Sequence, residues 1–208
     1  MKKIILGILA TLIAPMILQA GGIGVYIPYT VSGSVDGTRS SSSYSSSSSY
    51  SSDVDYTYDL DSTTGFGLTL STNLGKEAGF GYSFAFELTH PKSVNSVVES
   101  DLYEMLHTFE FGIINTEVVK VWVGPRLNIG YFAKGSENDK RSGVEFGVAP
   151  AVGINVNIND YLALILNVDY KFAVQAGSYD NSTYDYSESR NAMIARLGVV
   201  LKFGEEYY

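Results

Sequence analysis

The chain has 208 residues, enough for one domain, with no cysteine and a formal net charge of −8. The lack of cysteine rules out a disulfide framework, a thiolate metal site, a thiol nucleophile and a lipoprotein anchor. The acidic balance argues against nucleic acid, which requires a basic face. Sixteen Tyr and ten Phe are many for this length, and Tyr favours membrane interfaces because its ring is apolar and its hydroxyl is wet.

Met1-Lys2-Lys3 leads into an apolar run from Ile4 to Leu18, closed by Gln19-Ala20-Gly21. A basic start, a short apolar stretch and a small residue at the cut predict a secretory signal peptide over 1–20, cleaved between Ala20 and Gly21. As an anchor helix the run is short, roughly 15 residues against the ~20 needed, and Pro15 interrupts it. Beyond residue 20 no apolar run approaches 18 residues, so any membrane crossing by residues 21–208 must be by strands.

Eight segments alternate apolar and small or polar residues, the pattern of strands with two unlike faces. The first, 22–34, turns Ile23, Val25, Ile27, Tyr29 and Val31 one way. The second, 63–72, offers Phe66, Leu68 and Leu70, and the third, 79–89, Phe80, Tyr82, Phe84, Phe86 and Leu88. The fourth, 104–114, presents Met105, His107, Phe109, Phe111 and Ile113, and the fifth, 118–132, Val119, Val121, Val123, Leu127, Ile129 and Tyr131. The sixth, 142–156, carries Val144, Phe146, Val148, Val152, Ile154 and Val156. The seventh, 161–175, is the plainest, with Leu162, Leu164, Leu166, Val168, Tyr170, Phe172 and Val174 on one side and Asn167, Asp169, Lys171 and Gln175 on the other. The eighth, 191–203, ends Val199, Leu201, Phe203. Pro28, Pro125 and Pro150 are expected on the apolar face, with local bulges because Pro cannot donate to a ladder.

The connections alternate in length. Residues 73–78, 115–117 and 157–160 are short turns; 35–62, 90–103, 133–141 and 177–190 are longer and polar. More apolar residues lie on the greasy faces than eight strands can enclose. The expectation is an all-β, eight-stranded antiparallel up-and-down transmembrane β-barrel over 21–208, greasy side outward, with both termini periplasmic and the long loops external.

With these features the chain resembles the small outer-membrane β-barrel proteins of the OmpA/OmpX type. The resemblance covers nearly all of 21–208 and rests on the signal peptide, the eight amphipathic strands, the turn–loop alternation and the closing strand ending in Phe203. It implies residence in the outer membrane among lipid and lipopolysaccharide, and recognition of a terminal aromatic by the barrel-assembly machinery. That aromatic is Phe203 or Tyr208, since Gly204-Glu205-Glu206-Tyr207-Tyr208 follows. The group includes adhesins, structural anchors, narrow pores and a few lipid-modifying enzymes, so fold alone does not choose a function.

Parity turns Glu87, Glu110, Lys120, Arg126, Glu145, Asp169, Lys171, Arg196 and Lys202 inward. Residues facing each other in a hairpin have a constant sum of numbers, which sets Asp169 opposite Arg196 and Glu145 opposite Lys171. Paired charges read as a salt-bridged plug; an ion path is the alternative.

His90 and His107 are expected to face outward, opposite each other across the external ends of the third and fourth strands. Ser93, Ser96, Glu99 and Ser100 lie between them. A Ser nucleophile with a His base would make a lipid-A-modifying hydrolase, but order and spacing do not fit, so no catalytic residue, metal site or cofactor is assigned. Residues 40–52 are Ser except Tyr44 and Tyr50, and acids interleaved with Tyr56 and Tyr58 follow. The second strand continues backward by twos, placing Val54, Tyr56, Tyr58 and Leu60 outward and Asp53, Asp55, Thr57, Asp59 and Asp61 inward, as a ribbon projecting past the membrane. Tyr, Ser and Asn compose adaptable binding surfaces, so Tyr56, Tyr58, Tyr184 and Tyr186 are the candidate contacts for an external protein or surface ligand. The expected function is a non-enzymatic surface protein acting in envelope integrity or adhesion, with a narrow porin-like channel as the alternative.

Overall fold

The computed structural model describes residues 21–45, 48–72, 79–92, 100–134, 141–179 and 185–203. The expected signal peptide, the turn at 73–78, Tyr184 and Tyr208 lie outside them. The described residues form nine strand segments: β1 (Gly22–Ser45), β2 (Ser48–Leu60), β3 (Thr63–Ser71), β4 (Phe80–Thr89), β5 (Ser100–Asn115), β6 (Val119–Lys134), β7 (Arg141–Asn157), β8 (Leu162–Tyr179) and β9 (Asp185–Lys202). Sequential neighbours pair antiparallel, and β1 also pairs with β9, which closes the ring. β2 and β3 both lie along β1 and are two halves of one long strand. The wall is therefore an eight-stranded up-and-down barrel. β1 and β2 continue as a ribbon paired from Gly33↔Leu60 to Ser45↔Ser48, in which β1 stays paired with β9 as far as Arg39↔Tyr186.

Alternation sets inside and outside. On β8, Leu164, Leu166, Tyr170, Phe172 and Val174 are exposed, while Asn167, Asp169, Lys171 and Gln175 are buried. Apolar side chains outside and charges inside suit hydrocarbon as the surrounding medium, and closure leaves the barrel wall no open backbone edge there. No described helix is long and apolar enough to cross a membrane, and a barrel crosses with strands.

Three local features refine the expectation. The strands are longer than expected: β7, β8 and β9 have 17, 18 and 18 residues, against about 9–11 needed to span. Much of the expected loops at 35–62 and 177–190 is thus strand. Pro125 and Pro150 face outward, but Pro28 is buried on the lumen side beside Arg196, because it shares parity with Tyr26 rather than with Ile27. Each Pro leaves a gap in one of its two ladders, β1–β3 at Pro28, β5–β6 at Pro125 and β7–β8 at Pro150. Inward aromatics sit against glycine: Tyr26 pairs with Gly67 and Gly198, and Trp122 with Gly112 and Gly153. A Cβ at Gly67 or Gly153 would occupy the ring of Tyr26 or Trp122, so a narrow lumen admits an aromatic only where its neighbour lacks a side chain.

The ribbon reverses the expected faces. β1 carries one extra residue relative to β9 between Thr30 and Ser32. The matching break in the other arm is Asp61–Ser62, where the Asp61 amide donates to the Lys92 carbonyl at 2.8 Å. One inserted residue swaps the side-chain faces of all that follow. Val35 and Leu60 are consequently buried and Tyr56 and Tyr58 half-buried, while Asp55, Thr57, Asp59 and Asp61 are exposed.

Candidate functional site

The lumen is filled by ion pairs in layers. In the layer nearer the ribbon, Lys171 Nζ lies 2.6 Å from Glu145 and 2.8 Å from Glu104, and Arg190 lies 3.3 Å from Glu145. Gln175 donates to Glu145, and Asn128 to Glu104 at 3.1 Å. In the next layer, Arg196 holds Glu87 with Nε at 2.6 Å and Nη2 at 3.3 Å, and also reaches Asp169. Arg126 pairs with the same Asp169 carboxylate, and donates to Thr108 at 2.8 Å and to Asn167 at 3.1 Å. The Tyr26 hydroxyl donates to Glu87 at 3.1 Å. Nearest the turns, Lys120 pairs with Glu110 at 3.1 Å.

The structure thus brings together Glu87, Glu110, Lys120, Arg126, Glu145, Asp169, Lys171 and Arg196, all buried. Lys202 stands apart, half-buried at the turn end. Glu104, Glu188, Arg190 and Arg141 belong to the same system. The parity that turns His107 outward would have found Glu104; Glu188 and Arg190 fall where a loop was expected. Six acids and six bases make the described network neutral, with Lys202 outside it. Register differs from the hairpin sums: Asp169 faces Ile194 while Arg196 faces Asn167, and Glu145 faces Gln175. Arg196–Asp169 forms on the two-residue diagonal instead, and Lys171 reaches Glu145 from four positions along β8, which its long side chain spans.

Layers of apolar and polar side chains complete the packing. Val35, Leu60, Leu102 and Phe132 are buried toward the ribbon end, and Ala85, Leu106, Ile165 and Val200 cluster with Tyr26. Between charge layers and turns, a cavity of about 30 Å³ is lined by Thr69, Ser83, Thr108, Trp122, Asn155 and Asn167 among others. That volume holds a water molecule or two.

At the ribbon, the inner face locks onto β9. Tyr56 Oη donates to Glu188 at 2.5 Å, and Arg141 lies 3.8 Å from the same carboxylate. The Tyr56 and Tyr58 rings stack with centroids 6.3 Å apart. Burial first, and then the hydrogen bond to Glu188, raises the Tyr56 phenol well above its ordinary value; burial raises Tyr58 likewise. The outer face is acid and hydroxyl: Thr38 donates to Asp55 and Thr57 to Asp36, each at 2.8 Å. Tyr184 and the side chain of Tyr186 are outside the described residues.

The histidines do not face each other. His90 Nδ1 lies 2.6 Å from Asp101, both side chains more than half exposed. Ser93 and Ser96 lie outside the described residues, and Ser100 Oγ is committed to the Pro91 carbonyl at 3.2 Å. His107 stands mid-strand opposite Phe84, because the β4–β5 ladder runs six positions out of the expected register. Its Nδ1 lies 2.7 Å from the Tyr82 hydroxyl. Among the described residues no group of three or more metal-ligating side chains converges.

A closed antiparallel barrel with an apolar exterior and a charged interior has the build of a membrane-spanning β-barrel, here of the small eight-stranded kind. No family model matches the sequence, and no curated protein matches it. Solved structures resemble the fold. Ail, the attachment invasion locus protein of Yersinia pestis, is 15% identical over 88% of this chain and 99% of that one, with a TM-score of 0.42. Neisserial surface protein A is 15% identical over 86% and 97%, with a TM-score of 0.43. The outer membrane protease OmpT from Escherichia coli is 9% identical over 88% and 97%, with a TM-score of 0.35.

Proposed function

We propose that the protein is a non-enzymatic surface protein whose barrel is a closed anchor and whose ribbon makes external contacts, in adhesion or envelope integrity. The carrying observation is the neutral, layered lumen: six acids and six bases balance in charge through the ion pairs of the described residues, and the cavity beside Arg126 and Arg196 has a volume of about 30 Å³. Fully compensated buried charge fits a plug better than a conduction path, which needs binding weak enough to release an ion. Residues 1–20 serve export and are removed, both termini lie in the periplasm, and the ribbon stands outside. Lipid and lipopolysaccharide surround the wall, and the barrel-assembly machinery reads Phe203 or Tyr208. In the ribbon, Tyr56 and Tyr58 brace the inner face, and Asp55, Thr57 and Asp59 are presented to an external protein or surface ligand, with Tyr184 and Tyr186 as further contacts.

Two measurements test this. Purified protein in planar bilayers should give no unitary conductance, and a steady ion current would replace the plug with the channel. Cells displaying a variant with Asp55→Ala, Thr57→Ala and Asp59→Ala together should keep the heat-modifiable gel mobility of a folded barrel but lose surface attachment. Undiminished attachment would remove the ribbon from the function.

A further inference from the structure

The outward faces of β4 and β5 differ from the rest of the wall. Paired across them are Phe80 with Phe111, Tyr82 with Phe109, Phe84 with His107, Phe86 with Met105 and Leu88 with Tyr103. The rings touch: Phe80–Phe111 and Tyr82–Phe109 centroids are 5.5 Å apart, and Phe84–His107 5.2 Å. β6 to β9 carry mostly Val, Leu and Ile on that side.

Within this aromatic face lies a polar pair. His107 is flanked along β5 by Met105 and Tyr103 on one side and Phe109, Phe111 and Ile113 on the other, all pointing to lipid. It stands four positions along the strand from Tyr103, about 14 Å, in the middle of β5, so the imidazole sits within the apolar outward face. Polar side chains at that depth are costly and mark functional contacts. A neutral imidazole has one donor and one acceptor nitrogen. Nδ1 is used by the Tyr82 hydroxyl at 2.7 Å. Nε2 has no hydrogen-bond partner among the described residues, and acyl chains offer none.

We propose that this face is the interface with a second copy of the chain, built on the Tyr82–His107 pair. In a two-fold arrangement the same patch meets itself. If Tyr82 donates to Nδ1, Nε2 carries the proton and donates to the Tyr82 oxygen of the second copy, and the reverse contact follows by symmetry. If Nδ1 carries the proton and donates to Tyr82, the hydroxyl proton goes to Nε2 of the second copy. Either tautomer closes a ring of four hydrogen bonds and leaves no nitrogen facing lipid. The surrounding rings supply flat area for packing, which is what drives association where lipid removes the hydrophobic term.

The absence of cysteine makes the test clean. Single Phe84→Cys and Met105→Cys variants of the full chain, treated in intact outer membranes with a short bismaleimide, should give a product of twice the monomer mass. Leu197→Cys, on the opposite wall, should not. Adding His107→Leu or Tyr82→Phe should cut the cross-link at least tenfold while heat-modifiable mobility stays. If His107→Leu does not fold, Tyr82→Phe, which removes only a hydroxyl, decides. Monomer alone at both positions, a product equally strong from Leu197→Cys, a heavier adduct with another protein, or a cross-link unchanged by Tyr82→Phe would each overturn the proposal.

Discussion

β1 takes part in two structures, and their contrast shows how one strand can serve two purposes. Up to Thr30 it lies between β3 and β9, and its inward side chains, Tyr26 and Thr30, enter a lumen of paired charges. Past the bulge it lies between β2 and β9, and the opposite parity, Val35 and Gly37, turns to the axis. In the wall the inner face is held by ion pairs from many strands. In the ribbon it is packed by Val35 and Leu60 and carries the charged hydrogen bond from Tyr56 to Glu188. A single inserted residue changes a polar plug into an apolar and aromatic seal without changing the alternation of the sequence. The wall should therefore unfold as one unit, and the ribbon should be removable from it.

Breaking the wall should have the largest effect. Arg196→Met strips Glu87 of its bidentate partner and Asp169 of one of its two cations. Leaving buried carboxylates uncompensated costs about 3–5 kcal/mol. Urea unfolding in liposomes should show a lower midpoint for the whole barrel. An unshifted midpoint would mean that the lumen is wet enough to solvate Glu87.

A smaller effect should follow from crowding the ribbon. Gly37 faces Tyr56, and a Cβ there would overlap the Tyr56 ring and crowd Glu188. Gly37→Val should cost about 1–3 kcal/mol of strain. Hydrogen exchange should speed up in residues 33–39 and 54–60 and stay slow in β6 to β8. Loss of protection across the whole barrel would show that ribbon and wall are one cooperative unit.

The same contrast explains what could be read from the sequence. The wall was legible because eight strands keep strict alternation and each inward charge shows itself by parity. Glu104 obeys that rule as plainly as Glu110. The ribbon faces were not legible, since a one-residue bulge at Thr30–Ser32 has no composition of its own: Val31, Ser32 and Gly33 fit either parity. Register was also hidden. It depends on how many residues each connection uses as strand, and polar stretches such as 185–190 look like loop until β1 is seen paired against them. Hence the partners Arg196–Asp169 and Lys171–Glu145 could be named while their ladder positions could not. For the same reason the hairpin sum puts His107 at the barrel rim, whereas the ladder sets it mid-wall opposite Phe84.

Removing only the bond that pins the ribbon should be milder still. Tyr56→Phe deletes the hydroxyl that donates to Glu188. A net loss of about 1 kcal/mol is expected, confined to ribbon protection, because Arg141 still lies beside Glu188. An equal loss of whole-barrel stability would place Tyr56 in the wall's cooperative unit.

The smallest effect is that of alkaline pH on the same bond. Burial, and then the hydrogen bond to Glu188, raises the Tyr56 phenol above the ordinary tyrosine value, which is about 10. A group whose folded value is raised binds its proton more tightly in the folded state. Its contribution is fully present below about pH 10 and is lost as pH climbs above that value, where the unfolded chain ionises first. The folded phenol cannot ionise in place without setting a phenolate against the Glu188 carboxylate, so ionisation should be coupled to loosening of β2 where it crosses Gly37 toward Glu188. Raising pH from 9 to 11 should therefore increase exchange in residues 54–60 more in the parent protein than in Tyr56→Phe, after correction for the intrinsic base-catalysed rate. Tyr58, raised by burial as well, remains in both proteins and cancels in the comparison. Parallel pH curves for the two proteins would mean that the ribbon is held by the β1–β9 ladder and by Val35 and Leu60, and that the Tyr56–Glu188 contact follows from that docking instead of causing it.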